Sequence, residues 1–285
     1  MKIFVETFRF DHAMYRIRDA IKKHLPRDYK YVKTKEEADL VVVIAYGHKS
    51  VIRKYIEWLL AHKKKYILLQ LNLKITNDPT ASGWMPLWQS AEYVWSYFDL
   101  LKICEEEEVE PLFKFYHSPL GVDGNVFKEV PSKRIYKIAS SGNGRGWSKE
   151  CKNQIIKATE GTDWKIFNLG LGENTDKIIY SNDMPDEKLV KFYSQCEFVS
   201  GLRKVEGFEL PIIEGILCGA RPICFDTPNF RQWFDGIAEF IPEDNNTSEH
   251  LRKLFEKGAR PVEQVEKDYV RAKFDWQMIL RLLWI

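Results

Sequence analysis

Two glutamates, Glu206 and Glu214, stand in the run EGFELPIIEGILCGARPICFD, residues 206 to 226, with Pro211 between them. Proline has no amide hydrogen and a preset φ, so it suits the first turn of a helix and disrupts an interior one. A helix is therefore predicted from Pro211 through Cys218. It should stop at Gly219, where a left-handed residue is easily accommodated before the strand RPICFD. That start leaves Glu206 in the preceding loop and puts Glu214 in the first turn. The unpaired amides and partial positive charge of a helix N-terminus attract phosphate or sugar oxygens. Gly207 would let the loop backbone approach such a ligand closely. In that chemistry Glu206 accepts hydrogen bonds from hydroxyls beyond the phosphates, while Glu214 reaches a ribose from the helix side. The plainer alternative is that Glu214 only complements the helix dipole and Glu206 is a surface loop residue.

Such a turn needs strands to hold it. Apolar runs KIFVETF, LVVVIAY and YILLQLN alternate with helical stretches in the first part of the chain, and RIYKIAS, WKIFNLG, KIIYS, CEFVSG and RPICFD do so in the second. Continuous apolar strands separated by helices imply parallel sheets covered on both faces, so two doubly wound α/β units in tandem are expected. The segment FYHSPLGVDGNVFKEVPSKR, residues 115 to 134, is rich in Gly, Pro and Ser and reads as the connection, with a boundary near residue 118.

Composition sets outer limits. A chain of 285 residues has room for roughly two domains. The 43 basic and 41 acidic residues leave a formal net charge of +2, and no overall field favours a polyanion. Five cysteines without CxxC spacing fit reduced thiols and a cytoplasmic setting. MKIFVETF reads as a strand rather than a signal peptide, and no apolar run approaches a membrane span. No Asp-x-Asp pair and no His/Cys cluster with metal spacing occurs, so neither a metal nor a resident cofactor is expected. EEEEVE, residues 105 to 110, reads as a solvated helix end.

The run from Glu206 resembles the EX7E region of retaining GT-B glycosyltransferases, especially glycosyltransferase family 4, in which E-G-F-G-L-P-x-x-E-A-x-A-x-G-x-P-V is typical. Glu206, Gly207, Phe208, Leu210, Pro211, Glu214, Gly219 and Pro222 stand in register with it. Glu209 replaces the usual glycine, and Gly215 the usual alanine. HSPLGVDGNVF is similar to the family's interdomain N-G-V-D-x-x-x-F segment, WKIFNLGLGE to its L-x-I-x-G-x-G turn, and FDWQMILRLL to its closing F-x-W helix. The likeness covers roughly residues 117 to 285; before that only the β/α rhythm matches.

The resemblance implies a GT-B fold, two Rossmann-like doubly wound domains facing across a cleft. Residues 1–117 would form an acceptor-side domain and 118–267 a donor domain, with a helix in 268–285 packing back toward the first. It implies a hexosyltransferase-type enzyme (EC 2.4) that moves a sugar from a UDP- or GDP-sugar to an acceptor hydroxyl with retention, without a protein nucleophile. Donor contacts would come from Gly142, Arg145 and Lys149 in SSGNGRGWSKE, and from Gly207, Phe208, Glu209, Leu210 and Glu214. Arg203 and Lys204 offer further positive charge. Glu206 and His48 are the candidate catalytic residues, His48 following a strand's carboxyl end, with His12 its rival. The family's N-terminal glycine pair is missing from FRFDHAMYRIRD.

Other features stay open at this level. GWMPLW, residues 83 to 88, reads as a loop whose tryptophans either stack on a sugar or base or are buried. HAMYRIRDAIKKHL is amphipathic and basic, as is a helix making weak peripheral membrane contact, and equally the first helix of any such domain. The acceptor is unspecified: glycan, lipid-linked sugar, protein or modified nucleic-acid base. Two rivals are a non-catalytic sugar-nucleotide-binding subunit and a GT-B-fold sugar-nucleotide epimerase or hydrolase.

Overall fold

A computed structural model describes residues 1–8, 12–45, 49–71, 81–142, 151–182, 184–204 and 208–284, the side chain of His12 excepted. Contacts divide the chain into two compact units, Met1–Leu120 with Trp276–Ile285, and Gly121–Asp275.

The first unit carries β1 (Lys2–Glu6), α1 (His12–Lys23), β2 (Lys30–Tyr31), β3 (Leu40–Ala45), α2 (Lys49–Ala61), β4 (Lys65–Gln70), α3 (Ala81–Gln89), β5 (Tyr93–Ser96), α4 (Leu100–Glu106) and β6 (Phe115–His117). Its strands form one sheet in the order β2-β1-β3-β4-β5-β6, all pairs parallel. Every residue of β3 is buried, as a strand covered on both faces must be. Met14, Ile17, Ala20 and Ile21 of α1 are buried in this unit.

GWMPLW lies inside α3 rather than in a loop, and Pro86 is interior to that helix. Burial overrides the proline: Trp84, Leu87 and Trp88 are all buried, and Trp88 Nε1 donates to the buried Gln70 Oε1 at 3.1 Å. The carbonyls left at the helix end are taken up by hydroxyls, Ser90 Oγ donating to Pro86 O at 2.8 Å and Tyr66 OH to Leu87 O at 2.6 Å.

The second unit carries β7 (Tyr136–Ser141), α5 (Lys152–Thr159), β8 (Ile166–Leu169), β9 (Ile178–Ser181), α6 (Asp186–Ser194), β10 (Cys196–Gly201), α7 (Leu210–Leu217), β11 (Arg221–Phe225), α8 (Pro228–Phe234), β12 (Glu239–Ile241), α9 (Thr247–Lys257) and α10 (Gln264–Lys273). Its sheet runs β12-β11-β10-β7-β8-β9, again wholly parallel. All five strands expected here are present; β12 is an addition. The chain then enters α11 (Trp276–Leu283), which belongs to the first unit. There Tyr116 OH donates to Ile279 O at 2.8 Å.

Helix α7 begins and ends as its sequence requires. Glu209 is the extended N-cap (φ −137°), Pro211 sits in the first turn, and Gly219 follows the C-cap Cys218 with φ +84°. Gly215 is there for space: a Cβ would lie 2.6 Å from Val199 Cγ1 and 2.8 Å from Val199 Cβ on β10. The far end of the unit is tied by Arg221, 1% exposed, whose guanidinium donates to both carboxylate oxygens of Glu266 at 2.8 and 2.9 Å and to Ile237 O and Pro261 O.

Gly215→Ala should destabilise the second unit. Forcing a methyl against a β-branched strand residue costs about 1–3 kcal/mol, against about 1 kcal/mol gained in helix propensity. Urea unfolding should show a net loss on the order of 1 kcal/mol; equal midpoints would mean that β10 yields freely. A second expectation concerns acid. The Arg221 guanidinium holds the Glu266 carboxyl down to about 2, with the Glu263 amide and Arg260 helping and burial opposing. A depressed carboxyl contributes stability above its unfolded value of about 4.3, and that stability is lost as pH falls through about 2. Stability measured between those limits should fall more steeply for the wild type than for Glu266→Gln.

Candidate functional site

In a doubly wound sheet the first strand is interior, and the connections leave it in opposite directions, opening a crevice at the carboxyl ends where ligands bind. In the second unit this reversal falls between β7, which continues to β8, and β10, on its other side. Ser141 and Gly201 end these two strands.

The exit from β7 is held by a closed hydrogen-bond circuit. Ser140 Oγ donates to Asn168 Oδ1, Asn168 Nδ2 donates to Gly142 O, and Gly142 N donates to Leu169 O, each at 2.7 Å. Asn168 is 1% exposed, so these bonds form where water cannot replace them. Gly142 has φ +129°, which glycine alone adopts without strain, and turns the chain out of the sheet.

Across the reversal, Arg203 leaves β10. Its Nη2 donates to Ser141 Oγ at 3.1 Å, and its Nε lies 3.3 Å from Glu209 Oε1. The Glu209 side chain is 9% exposed and that of Arg203 26%. Glu209 therefore turns inward. Its charge adds to the burial that holds the buried Cys224 thiol well above its usual range. Lys204 Nζ lies 3.9 Å from Glu243 Oε1. Burial pushes the neighbouring Cys151 thiol up to about 11, Lys204 opposing and Glu243 adding.

Of the residues expected to bind a donor, Gly142, Glu209 and Leu210 lie at this end of the sheet, on the β7 exit and the start of α7. Phe208 directs its ring into the core, 5.4 Å from Phe234, 5.7 Å from Phe274 and 6.3 Å from Trp233 by ring centroids. Glu214 is in the second turn of α7, not the first, and is 2% exposed. Tyr193 OH donates to its Oε2 at 3.3 Å. It is thus neither a surface residue nor a first-turn dipole partner. Glu206, Gly207, Arg145, Lys149 and His48 lie outside the described residues, as does the side chain of His12.

One contributor went unread in the sequence and a second was read only in part. Asn168 had a signal, a lone amide in the apolar run KIFNLG. Arg203 was visible only as charge; its pairing with Glu209 needed the fold. In the first unit the equivalent reversal lies between β1 and β3. There Glu6 Oε1 accepts from the amides of Thr7 and Phe8 at 3.0 and 3.2 Å. Lys49, 7% exposed at the start of α2, has its ammonium 5.6 Å from the centre of the Trp84 ring. Among the described residues no group of three or more His, Cys, Asp or Glu could hold a metal ion, and no helix is long and apolar enough to cross a membrane.

No family model matches the chain, and no curated protein matches it in sequence. Solved structures do match it in fold. Sucrose-phosphate synthase from Thermosynechococcus elongatus superposes with a TM-score of 0.73 at 11% identity, covering 99% of this chain and 96% of that one. Anabaena HepE in complex with UDP and glucose gives 0.69 at 12%, covering 99% and 98%. The pneumococcal O-GlcNAc transferase GtfA in complex with UDP and GlcNAc gives 0.63 at 14%, covering 95% of this chain and 58% of that one.

Replacing Asn168 with Ala should remove two of the three bonds that hold the β7 exit and leave Gly142 O unsatisfied, at a cost of about 1–3 kcal/mol. Hydrogen exchange at the Gly142 amide should speed up with it. Unchanged protection there would mean that the turn holds without the circuit. These paired strand ends, in two Rossmann-like units that share the GT-B fold of their structural neighbours, are the conclusion that sequence, topology and superposition reach together.

Proposed function

We propose that the protein is a glycosyltransferase that moves a sugar from a nucleotide diphosphate donor to an acceptor hydroxyl with retention of configuration. The observation that carries this reading is the strand reversal between β7 and β10, with the start of α7 and an arginine at its carboxyl end, in a chain of GT-B fold. The EX7E resemblance of residues 206 to 214 supports it, as do structural neighbours in complex with UDP, with UDP-glucose and with UDP and glucose.

In this reading the second unit holds a UDP- or GDP-sugar. Backbone amides at Phe208, Glu209 and Leu210, with Arg145 and Lys149, meet the negative charge that develops on the departing diphosphate, a task for preorganised donors rather than a nucleophile. Glu214 binds the ribose and Glu206 the sugar hydroxyls, and His48, with His12 its rival, is the other candidate catalytic residue. On the same face, a β-phosphate oxygen takes the acceptor's proton as its oxygen attacks the anomeric carbon. The reading needs no resident metal or cofactor. A second reading, a non-catalytic sugar-nucleotide-binding subunit, is favoured by Glu209, whose side chain occupies the position where the family usually leaves the backbone bare.

The test is a thermal-shift screen over UDP-, GDP-, ADP- and CMP-sugars. A ligand at a hundred times its dissociation constant stabilises the folded state by about 2.7 kcal/mol. One base should give such a shift, and Glu214→Gln, which keeps the buried shape, should weaken that donor about tenfold or more by calorimetry. No shift with any donor would overturn the reading. Donor binding without turnover against a broad acceptor panel would favour the second one.

A further inference from the structure

One face of the first unit plays no part in the donor reading. Helix α1 carries the chain from β1 to β2, whereas α2, α3 and α4 step through β3, β4, β5 and β6 in the opposite direction across the sheet. Right-handed crossovers therefore put α1 on one face and the other three on the reverse. Helix α11 joins α1. The two pack together, Trp284 meets Tyr29 of the loop after α1 edge-on at 5.6 Å, and Tyr116 of β6 donates to Ile279 O. The strand neighbour Phe115 points the other way, to Phe113, whose ring lies 5.0 Å from that of Trp88 on α3. Among the described helices of the unit, only α1 and α11 cover this side of the sheet, and their outer residues form its surface.

That surface is basic and in part apolar. Lys22 in the last turn of α1, Arg27 and Lys30 in the stretch after it, and Arg281 on α11 are all exposed. The two helices hold a single acidic residue, Asp19, which Arg18 Nε engages at 2.9 Å; the loop after α1 adds Asp28. Beside Arg281, α11 turns outward two apolar side chains one helical turn apart, Met278 at 53% and Leu282 at 56% exposure.

We propose that the α1–α11 face docks on an anionic lipid bilayer, with Met278 and Leu282 entering the headgroup boundary and Lys22, Arg27, Lys30 and Arg281 meeting lipid phosphates. Both halves of the surface have a counterpart there. An anionic leaflet attracts clustered cations that come within a Debye length, and the acyl boundary takes up aliphatic side chains. A nucleic acid would answer the charge and not the aliphatic pair, because it offers phosphates and stacking bases. The contact is peripheral and reversible, since α11 has only eight residues and presents two apolar side chains. This goes beyond the donor reading and does not depend on it.

Co-sedimentation of the full chain with vesicles tests the proposal. The protein should sediment with vesicles of phosphatidylcholine containing about one-third phosphatidylglycerol, stay in solution with phosphatidylcholine alone, and leave the anionic vesicles as salt is raised. Lys22→Glu with Arg281→Glu should weaken binding to the anionic vesicles about tenfold or more. Met278→Ser with Leu282→Ser should weaken it several-fold at unchanged charge, and Arg281→Lys should bind as the wild type does. The control is Arg53→Glu with Lys54→Glu on α2, an equal change of charge at exposed positions on the reverse of the sheet, which should alter binding by no more than about twofold. Circular dichroism checks folding, and Arg281→Glu alone is measured should the double variant not fold. Wild-type protein that ignores anionic vesicles overturns the inference, as does a control pair as damaging as the α1–α11 pair, which would mean attraction by total charge. Tighter binding to single-stranded DNA than to vesicles, lost with Lys22→Glu and Arg281→Glu but indifferent to the serine pair, would give the face to a nucleic acid and overturn it too.

Discussion

The close approach of α7 to β10 governs the second unit. With no Cβ at Gly215 the helix lies against Val199, and Ile212, Ile213, Ile216 and Leu217 are fully buried behind it. A helix held that tightly has little freedom to tilt, so its first residues are delivered to one place, the end of β10 where Arg203 emerges. Gly215 is therefore a packing decision. It sets the depth at which the helix start meets the strand ends, and the inward turn of Glu209 follows from that depth.

Much of this was legible in the letters, and the failures have causes. Long apolar strands such as LVVVIA declared themselves because a strand buried on both faces has no polar alternation to confuse it with. The strands β2, β5, β6 and β12 did not; β2, β6 and β12 have only two or three residues, too few to separate from a turn. Gly83 and Pro86 made α3 look like a loop, and only the burial of Trp84, Leu87 and Trp88 shows why the chain accepts a proline inside a helix. At the site, Pro211 and Gly219 bracketed α7 correctly because each has a conformational reason to stand where it does. Glu214 falls just past the first turn rather than in it because the helix starts at Leu210, one residue before the proline. The Arg203–Glu209 and Arg221–Glu266 pairs were beyond reach, as partners six and forty-five positions apart are joined only by tertiary packing.

Two buried cations among the described residues of this unit are answered in different ways. Lys137, 8% exposed, meets Glu197 at 2.7 Å amid the rings of Trp164, Phe198 and Phe255. Arg221 is sealed by Glu266 and backbone carbonyls. Breaking either would strand a charge in an apolar setting, so both act as fixed points of the scaffold. The hydrogen-bonded exit of β7 belongs to the same group, though it is uncharged.

Because α11 supplies part of the first unit, that unit is discontinuous along the chain. Tyr116 hydrogen-bonds to Ile279, and Tyr29 packs its ring edge-on to Trp284 at 5.6 Å. On a ribosome, residues 1 to 120 would emerge well before their closing helix. The uninterrupted stretch 121 to 275 could complete its own core while the earlier segment still waited for its missing piece. Synthesis order and folding order would then run in opposite directions in this molecule.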